Sequence, residues 1–264
     1  MTFVGAAVLC LAAFAGGALN AVAGGGSFLT FPALVFTGAP PITANATGTV
    51  ALLPGYVSGT WGFKDDLRAP PGLSLPLLLA LAVAGGAAGA TLLLVTPAPA
   101  FRRLVPWLLV AATALFAAAP RLVRAARERP VRPERSSAKR CGVEGAGRGR
   151  AIAGVLLVSL YGGYFNGGLG VLLLALFALL GHDDLNAMNG LKNLASAALS
   201  AVAVAFYAAG GIVRWREAIL MMAGTIAGGY LGARAARRIP PPCLRAAIIA
   251  TGVIMAAVFF VRSR

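Results

Sequence analysis

Acidic residues are scarce in this 264-residue chain, with eight Asp and Glu against 23 Lys and Arg. All eight (Asp65, Asp66, Glu128, Glu134, Glu144, Asp183, Asp184 and Glu217) lie at or between the edges of apolar runs, and none lies in the middle of one. Carriers of cations and protons usually place a carboxylate inside the membrane, so this gap argues against that class. Histidine occurs once, at His182, and Cys10, Cys141 and Cys243 are isolated. These fit no metal or redox spacing, so no metal and no cofactor are expected. Charged residues make up 12% of the chain, where a soluble domain carries roughly 25%. With 59% apolar residues and a mean hydropathy of +0.82, the chain has too little polar surface to face water on all sides. Facing lipid is the lower-energy arrangement.

What is present is an internal repeat. Gly24-Gly25 recur as Gly167-Gly168, Ala44 as Ala187, and Gly85-Gly86 with Gly89 as Gly228-Gly229 with Gly232. Pro97, Pro99 and Arg102 recur as Pro240, Pro242 and Arg245, at the same offset of 143 residues and with no gap. Two hydrophobic halves of equal length, each opened by a glycine-rich break, are a mark of many membrane transporters.

Apolar runs cover residues 3–23, 27–38, 42–63, 73–96 and 103–122 in the first half. In the second half they cover 151–166, 170–181, 185–210, 217–235 and 244–262. A spanning helix needs about 20 apolar residues, which three long runs in each half supply. The run from Thr2 lacks a basic leader and continues past Gly24–Ser27 into apolar sequence, so it reads as a first membrane segment and not as a signal peptide. The expected fold class is therefore all-α: a polytopic membrane protein of two homologous halves, each with four to five hydrophobic segments and a broken, Gly-rich helix. Residues 1–122 form the first membrane repeat, 123–150 a basic cytoplasmic linker, and 151–264 the second repeat. The stretch from Arg127 to Arg150 is rich in Pro, Gly, Ser and Arg and reads as mobile.

The net charge of +15 is concentrated in loops. Ten basic and three acidic residues lie between Arg121 and Arg150, and Arg234, Arg237, Arg238 and Arg245 form a second group. This is a positive-inside pattern beside anionic lipid headgroups, not a nucleic-acid footprint. If each opening counts as one kinked span, the halves cross four times each and are parallel. If the short segments cross or return as hairpins, each half crosses an odd number of times and the halves are inverted. Inversion places both basic groups in the cytoplasm, and the charge pattern favours it. The protein is then a multi-pass membrane protein.

Two groups of residues could carry chemistry. The first is the pair of breaks, Asn20 with Gly24, Gly25, Gly26 and Ser27, and Asn166 with Gly167, Gly168 and Gly170. Unwound backbone at membrane depth survives only where it is buried in protein or lines a cavity, so the breaks are expected to face each other. A helix restarting at Ser27 or Gly170 presents amide N–H groups and a positive dipole end, both of which favour an anion. Ser27 can cap its helix or donate to a ligand. The bland alternative, close helix packing, suits Gly85, Gly89, Gly228 and Gly232 well.

The second group is centred on Lys192, the only basic residue well inside an apolar run. Asn189, Lys192, Asn193 and Ser196 share one helix face. A lysine in hydrocarbon costs roughly 2.5–3.5 kcal/mol or more, which argues for a watery cavity or an anionic partner. Snorkelling toward the polar helix start near Asp183-Asp184 is the alternative. The equivalent stretch of the first half, Asn45 to Thr49, is polar and uncharged, so the site is expected to be asymmetric. Tyr56, Trp61, Phe63, Trp107 and Trp215 read as an interfacial aromatic belt.

These segments resemble a known family. G-G-A-L-N-A-V-A-G-G-G-S-F-L-T-F-P-A-L (16–34) and G-A-P-P-I-T-A-N-A-T (38–47) resemble the first repeat of the TauE/SafE sulfite exporter family of anion permeases. Y-G-G-Y-F-N-G-G-L-G-V-L-L-L (161–174), L-N-A-M-N-G-L-K-N-L (185–194) and G-G-I-V-R-W-R-E-A (210–218) resemble the second. The likeness implies a multi-spanning inner-membrane carrier of sulfite, sulfonates or related sulfur-containing or organic anions. Asn166 stands where that family often has alanine or glycine. The leading expectation is a secondary carrier of a small anionic substrate, working by alternating access and not as an enzyme. An anion channel and a membrane-embedded enzyme or assembly factor are the alternatives. The substrate contacts would be Asn20, Gly24, Gly25, Gly26, Ser27, Asn45, Thr49, Asn166, Gly167, Gly168, Gly170, Asn189, Lys192 and Asn193. The partners are that anion and the lipid bilayer, with no nucleic acid. The oligomeric state is left open.

Overall fold

A computed structural model describes residues 2–70, 72–127, 140–182 and 184–235, with 250, 253, 254 and 257 beyond them. Among these residues every regular element is helical. The helices are α1 (Phe3–Ala23), α2 (Ser27–Phe36), α3 (Pro41–Gly62), α4 (Leu75–Val95) and α5 (Ala98–Arg127). They continue as α6 (Arg140–Tyr164), α7 (Leu169–Leu179), α8 (Leu185–Ala209) and α9 (Trp215–Ala235). A short 3₁₀ turn at Lys64–Asp66 follows α3. The bounds track the apolar runs closely. The run at 244–262 lies almost wholly outside the described residues. Helix enters the basic stretch 123–150 from both sides, since α5 continues to Arg127 and α6 starts at Arg140.

The repeat is visible in the element order. Helices α1 to α4 match α6 to α9 at the offset read from the sequence, as a short α2 and α7 each follow a glycine break. Thr2 caps α1 by accepting from the Gly5 N–H at 3.2 Å. Asp184 caps α8 by accepting from the Asn186 N–H at 2.8 Å, as expected of a carboxylate at a helix N-terminus. The breaks themselves are terminated by glycines in the left-handed region, Gly24 at φ 75° and Gly168 at φ 77°, where side chains are strained.

Polarity is arranged inside out. Leu11, Phe36, Trp61, Leu157 and Ile219 lie on the outside and are each more than 60% exposed, whereas Asn20, Asn45, Asn166, Lys192 and Asn193 are buried. A water-soluble protein does the reverse. Among the described residues, three helical segments are long and apolar enough on their own to cross a bilayer: Phe3–Ala21, Leu75–Val95 and Asn186–Ala209. The sequence led us to expect more such spans. Helix α3 has 22 residues, but Asn45, Thr47 and Thr49 dilute its apolar character. Those three are buried in protein, so α3 owes lipid only its outer face.

Small residues set the packing. Gly17 of α1 lies against Thr225 and Gly229 of α9, and Gly224 against Cys10 and Ala13, so α1 and α9 run parallel. Gly85 and Gly89 of α4 advance in step along α6, against Ser159 and then Leu160 and Tyr164. These pairs are equivalent in the repeat. Helices α3 and α8, also equivalent, run antiparallel: Gly59 stands against Asn193, and Phe63, further along, against Gly190 further back. Each short helix folds back on its predecessor. Gly16 of α1 meets Gly26 and Thr30, while Gly162 and Gly154 of α6 meet Leu169 and Leu176. The packing role expected of Gly85 and Gly89 is thus met, as is that of Gly228, which lies against Phe14 of α1; the surroundings of Gly232 lie outside the described residues.

Two apolar clusters flank the centre. One gathers Leu9, Phe31, Leu34, Phe101, Phe165 and Met221. The other gathers Leu78, Leu169, Leu173, Phe177, Leu191 and Leu199. Leu34 and Phe177 hold equivalent repeat positions. The loops at the ends are tied across the repeat as well. The Arg214 guanidinium donates to the Gly38 carbonyl at 3.1 Å, and His182 Nε2 lies 3.2 Å from the Arg68 carbonyl.

Candidate functional site

The two glycine breaks meet at the centre. A Cβ on Gly24 would stand 2.6 Å from the Gly170 Cα, and a Cβ on Gly170 would stand 2.5 Å from the Gly24 Cα. No side chain fits on either. The restarted helices spend their first amides locally: Phe28 N–H donates to the Gly25 carbonyl and Leu29 N–H to the Gly26 carbonyl, both at 3.1 Å. Helix α7 begins at Leu169, one residue before the expected Gly170, and its Val171 and Leu172 amides donate to the Gly168 carbonyl at 3.1 Å. The breaks therefore present fewer open N–H groups than the glycine pattern suggested.

Ser27 neither caps α2 nor stands free. Its hydroxyl donates to the Asn166 carbonyl at 2.8 Å, across the two halves. Asn166 is the hub of this contact. Its Oδ1 accepts from the Tyr56 hydroxyl at 3.0 Å, its backbone N–H approaches Asn45 Oδ1 at 3.4 Å, and its Nδ2 approaches Thr49 Oγ1 at 3.5 Å. Asn45 Nδ2 donates to the neighbouring Tyr164 carbonyl at 3.0 Å. Four side chains of the first half thus fasten one residue of the second. Gly167 is tied in by the Tyr161 hydroxyl, which donates to its carbonyl at 2.6 Å. Gly25 and Gly26 line the same turn, with Gly26 packed on Gly16 and Asn20.

Tyr56 corrects the sequence reading. It is 1% exposed and belongs to this hub, not to an interfacial belt. The signal was available: Asn45, Thr49, Leu52 and Tyr56 recur at helical spacing along one face of α3. Trp61, Trp107 and Trp215 remain outward, between 48% and 73% exposed. Lys64 lies over the Trp61 ring at 5.1 Å.

The second group forms around Lys192, which is 0% exposed. Snorkelling is thereby excluded. The ammonium donates to the Asn20 carbonyl at 3.1 Å and to Asn189 Oδ1 at 3.0 Å. Asn20 ends α1, so the cation sits at the negative end of a helix dipole, equivalent to roughly half a charge. No carboxylate lies within ion-pair reach of it among the described residues, where the ion pair found is Arg214–Glu217 at 3.7 Å. A third ammonium proton has no acceptor among the described residues. Asn20 Oδ1 and both polar side-chain atoms of Asn193 also lack a hydrogen-bond partner among the described residues.

The structure thus divides the fourteen expected contacts. Ser27, Asn45, Thr49 and Asn166, with the glycines, close the seam between the halves. Asn20 and Asn189 hold the buried Lys192 ammonium, and Asn20 Oδ1 with the Asn193 side chain adds hydrogen-bonding capacity unused among the described residues. Ser196 Oγ and Ser200 Oγ extend that capacity along α8. Ser200 escaped the sequence reading because an isolated serine in an apolar helix gives no signal until its neighbours are known.

Comparison with known proteins agrees with these features. The chain is 29% identical to a probable membrane transporter protein of Haemophilus influenzae over 238 residues, 86% of this chain and 84% of that one. It is 27% identical to the probable membrane transporter protein ORF9 of a Sinorhizobium species, covering 86% and 82% of the two chains. It is also 27% identical to the probable membrane transporter protein YfcA of Escherichia coli K12, covering 95% and 87%. No solved structure matches. The profile of the family described as Sulfite exporter TauE/SafE matches residues 9–259, nearly the whole chain. With its repeated helices, paired glycine breaks and outward apolar faces, the chain belongs to the TauE/SafE family of membrane transporters.

Proposed function

We propose that this membrane transporter is a secondary carrier of small anions, of the sulfite, sulfonate or related sulfur-containing or organic class, in the cell inner membrane. The observation that carries this reading is Lys192: a fully buried ammonium, held by two neutral acceptors, with no carboxylate in reach among the described residues. A buried charge without a counter-charge is costly, and a bound anion offsets that cost. The absence of mid-span acids in the sequence points away from a cation as cargo.

The proposed mechanism is alternating access between inverted halves. Support comes from the helix directions. The equivalent helices α3 and α8 run antiparallel, and the equivalent pairs α1–α9 and α4–α6 exchange partners between the halves. Each opening returns as a hairpin, as an odd number of crossings per half would require. Such a repeat places the Arg121–Arg150 and Arg234–Arg245 stretches on one side, in accord with the positive-inside pattern. The anion would bind beside Lys192, and the seam at Gly24 and Gly170 would be the surface on which one half moves against the other.

Flux in proteoliposomes tests the reading. Uptake of sulfite or a small sulfonate that saturates and shows counterflow is expected. Non-saturating conductance would favour a channel, and absence of flux for every oxyanion tried would remove anion transport.

A further inference from the structure

We propose that Asn193, Ser196 and Ser200 form a ladder of neutral hydrogen-bond donors that carries a desolvated oxyanion along α8 away from Lys192. This rests on the anion reading above and extends it from a binding point to a path. All three residues are 0% exposed. Four of their polar side-chain atoms, Asn193 Oδ1 and Nδ2, Ser196 Oγ and Ser200 Oγ, have no hydrogen-bond partner among the described residues. Leaving a buried polar group unmatched is costly, so a run of them in one place calls for an occupant.

Their placement is linear. At 100° per residue the three lie within about 60° of one another on the helix, and they extend over about 10 Å at 1.5 Å per residue. Lys192 adjoins one end. At the far end of α8, the Tyr207 hydroxyl is already engaged with the Gly163 carbonyl. Serine and threonine in helices commonly donate back to the carbonyl four residues earlier. Thr49 and Thr60 of α3 do so, each at 2.9 Å, but Ser196 and Ser200 do not. Their hydroxyls are free to turn toward a ligand. Opposite Asn193, α3 presents Gly59, where a Cβ would stand 2.6 Å from Asn193 Nδ2. The glycine leaves the amide its place.

Chemistry selects the occupant. One ammonium followed by an amide N–H and two hydroxyls matches a small anion with several acceptor oxygens. Neutral donors of this kind hold it without trapping it, as a charge at every step would.

The test is the S196A/S200A double variant of the full chain in proteoliposomes, with sulfite as the probe. Removing two unmatched hydroxyls is expected to leave thermal stability equal or higher while sulfite flux falls about tenfold. G59A, which displaces the Asn193 amide, is expected to lower flux in the same way. Wild-type flux in both variants would overturn the ladder, because water or a purely structural polar stripe tolerates these changes. A loss of stability in the double variant would also overturn it, since the hydroxyls would then have partners within the protein. Failure of the wild-type chain to carry any oxyanion would instead overturn the anion reading on which the ladder rests.

Discussion

Gly24 and Gly170, one from each helix break, touch backbone to backbone with no space for a Cβ on either side. They are 146 residues apart in the chain, close to the repeat offset, so each half contributes its own break to a single seam. Alanine at Gly24 meets two obstacles, a positive φ of 75° and the Gly170 backbone. Strain of the first kind alone costs about 1–3 kcal/mol. G24A and G170A are expected to insert in the membrane, to melt at lower temperature and to lose flux. G62A is the control, since a Cβ there meets nothing within 4 Å. Normal melting and flux in G24A would show that the seam yields easily.

Lys192 is the residue on which the anion reading turns. K192M is expected to weaken sulfite binding by about 1.5–3 kcal/mol, the scale of a charge-assisted hydrogen bond, or roughly one to two decades in affinity. The Asn20 carbonyl keeps its bond to the Gly24 N–H at 3.2 Å, so melting temperature is not expected to fall. K192R should bind better than K192M without matching the wild type, because a planar fork does not replace a compact ammonium. Unchanged affinity in K192M, measured by calorimetry, would reduce Lys192 to a cap on the end of α1.

The Asn166 hub makes a separate prediction about stability. Y56F removes one neutral bond to Asn166 Oδ1 and is expected to cost about 1 kcal/mol. N166A removes the whole side chain and should cost more. Because Tyr56 acts through Asn166, the double variant is expected to show coupling of about 0.5–3 kcal/mol in a mutant cycle. Additive losses in chemical denaturation would mean that the two do not communicate.

Topology is tested by labelling single cysteines in a chain whose Cys10, Cys141 and Cys243 are replaced by serine. Pro40 and Arg216 flank the loops tied by Arg214 and Gly38, whereas Ser74 and Asn186 flank those tied by His182 and Arg68. Inverted halves predict that P40C and R216C react from outside and S74C and N186C from the cytoplasm. The Arg234–Arg245 stretch should react from the cytoplasm as well. Mixed labelling within either pair would remove the inverted arrangement.

The sequence by itself determined the class, the repeat and the element bounds, because these depend on hydrophobic run length and on where glycine interrupts it. Both are local properties. It also singled out Lys192 and the breaks, since a lysine or a glycine cluster in an apolar run is conspicuous without any neighbour. Only the tertiary structure could separate seam from site. Asn45, Thr49 and Asn166 look as free in the sequence as Asn193 does, yet the first three bond across the halves and Asn193 bonds to nothing among the described residues. Tyr56 was legible as an aromatic near a segment end, but its burial depends on Asn166, 110 residues away. Whether a polar group is spent or available is decided by its partner, and partners brought together by helix packing lie far apart in the chain.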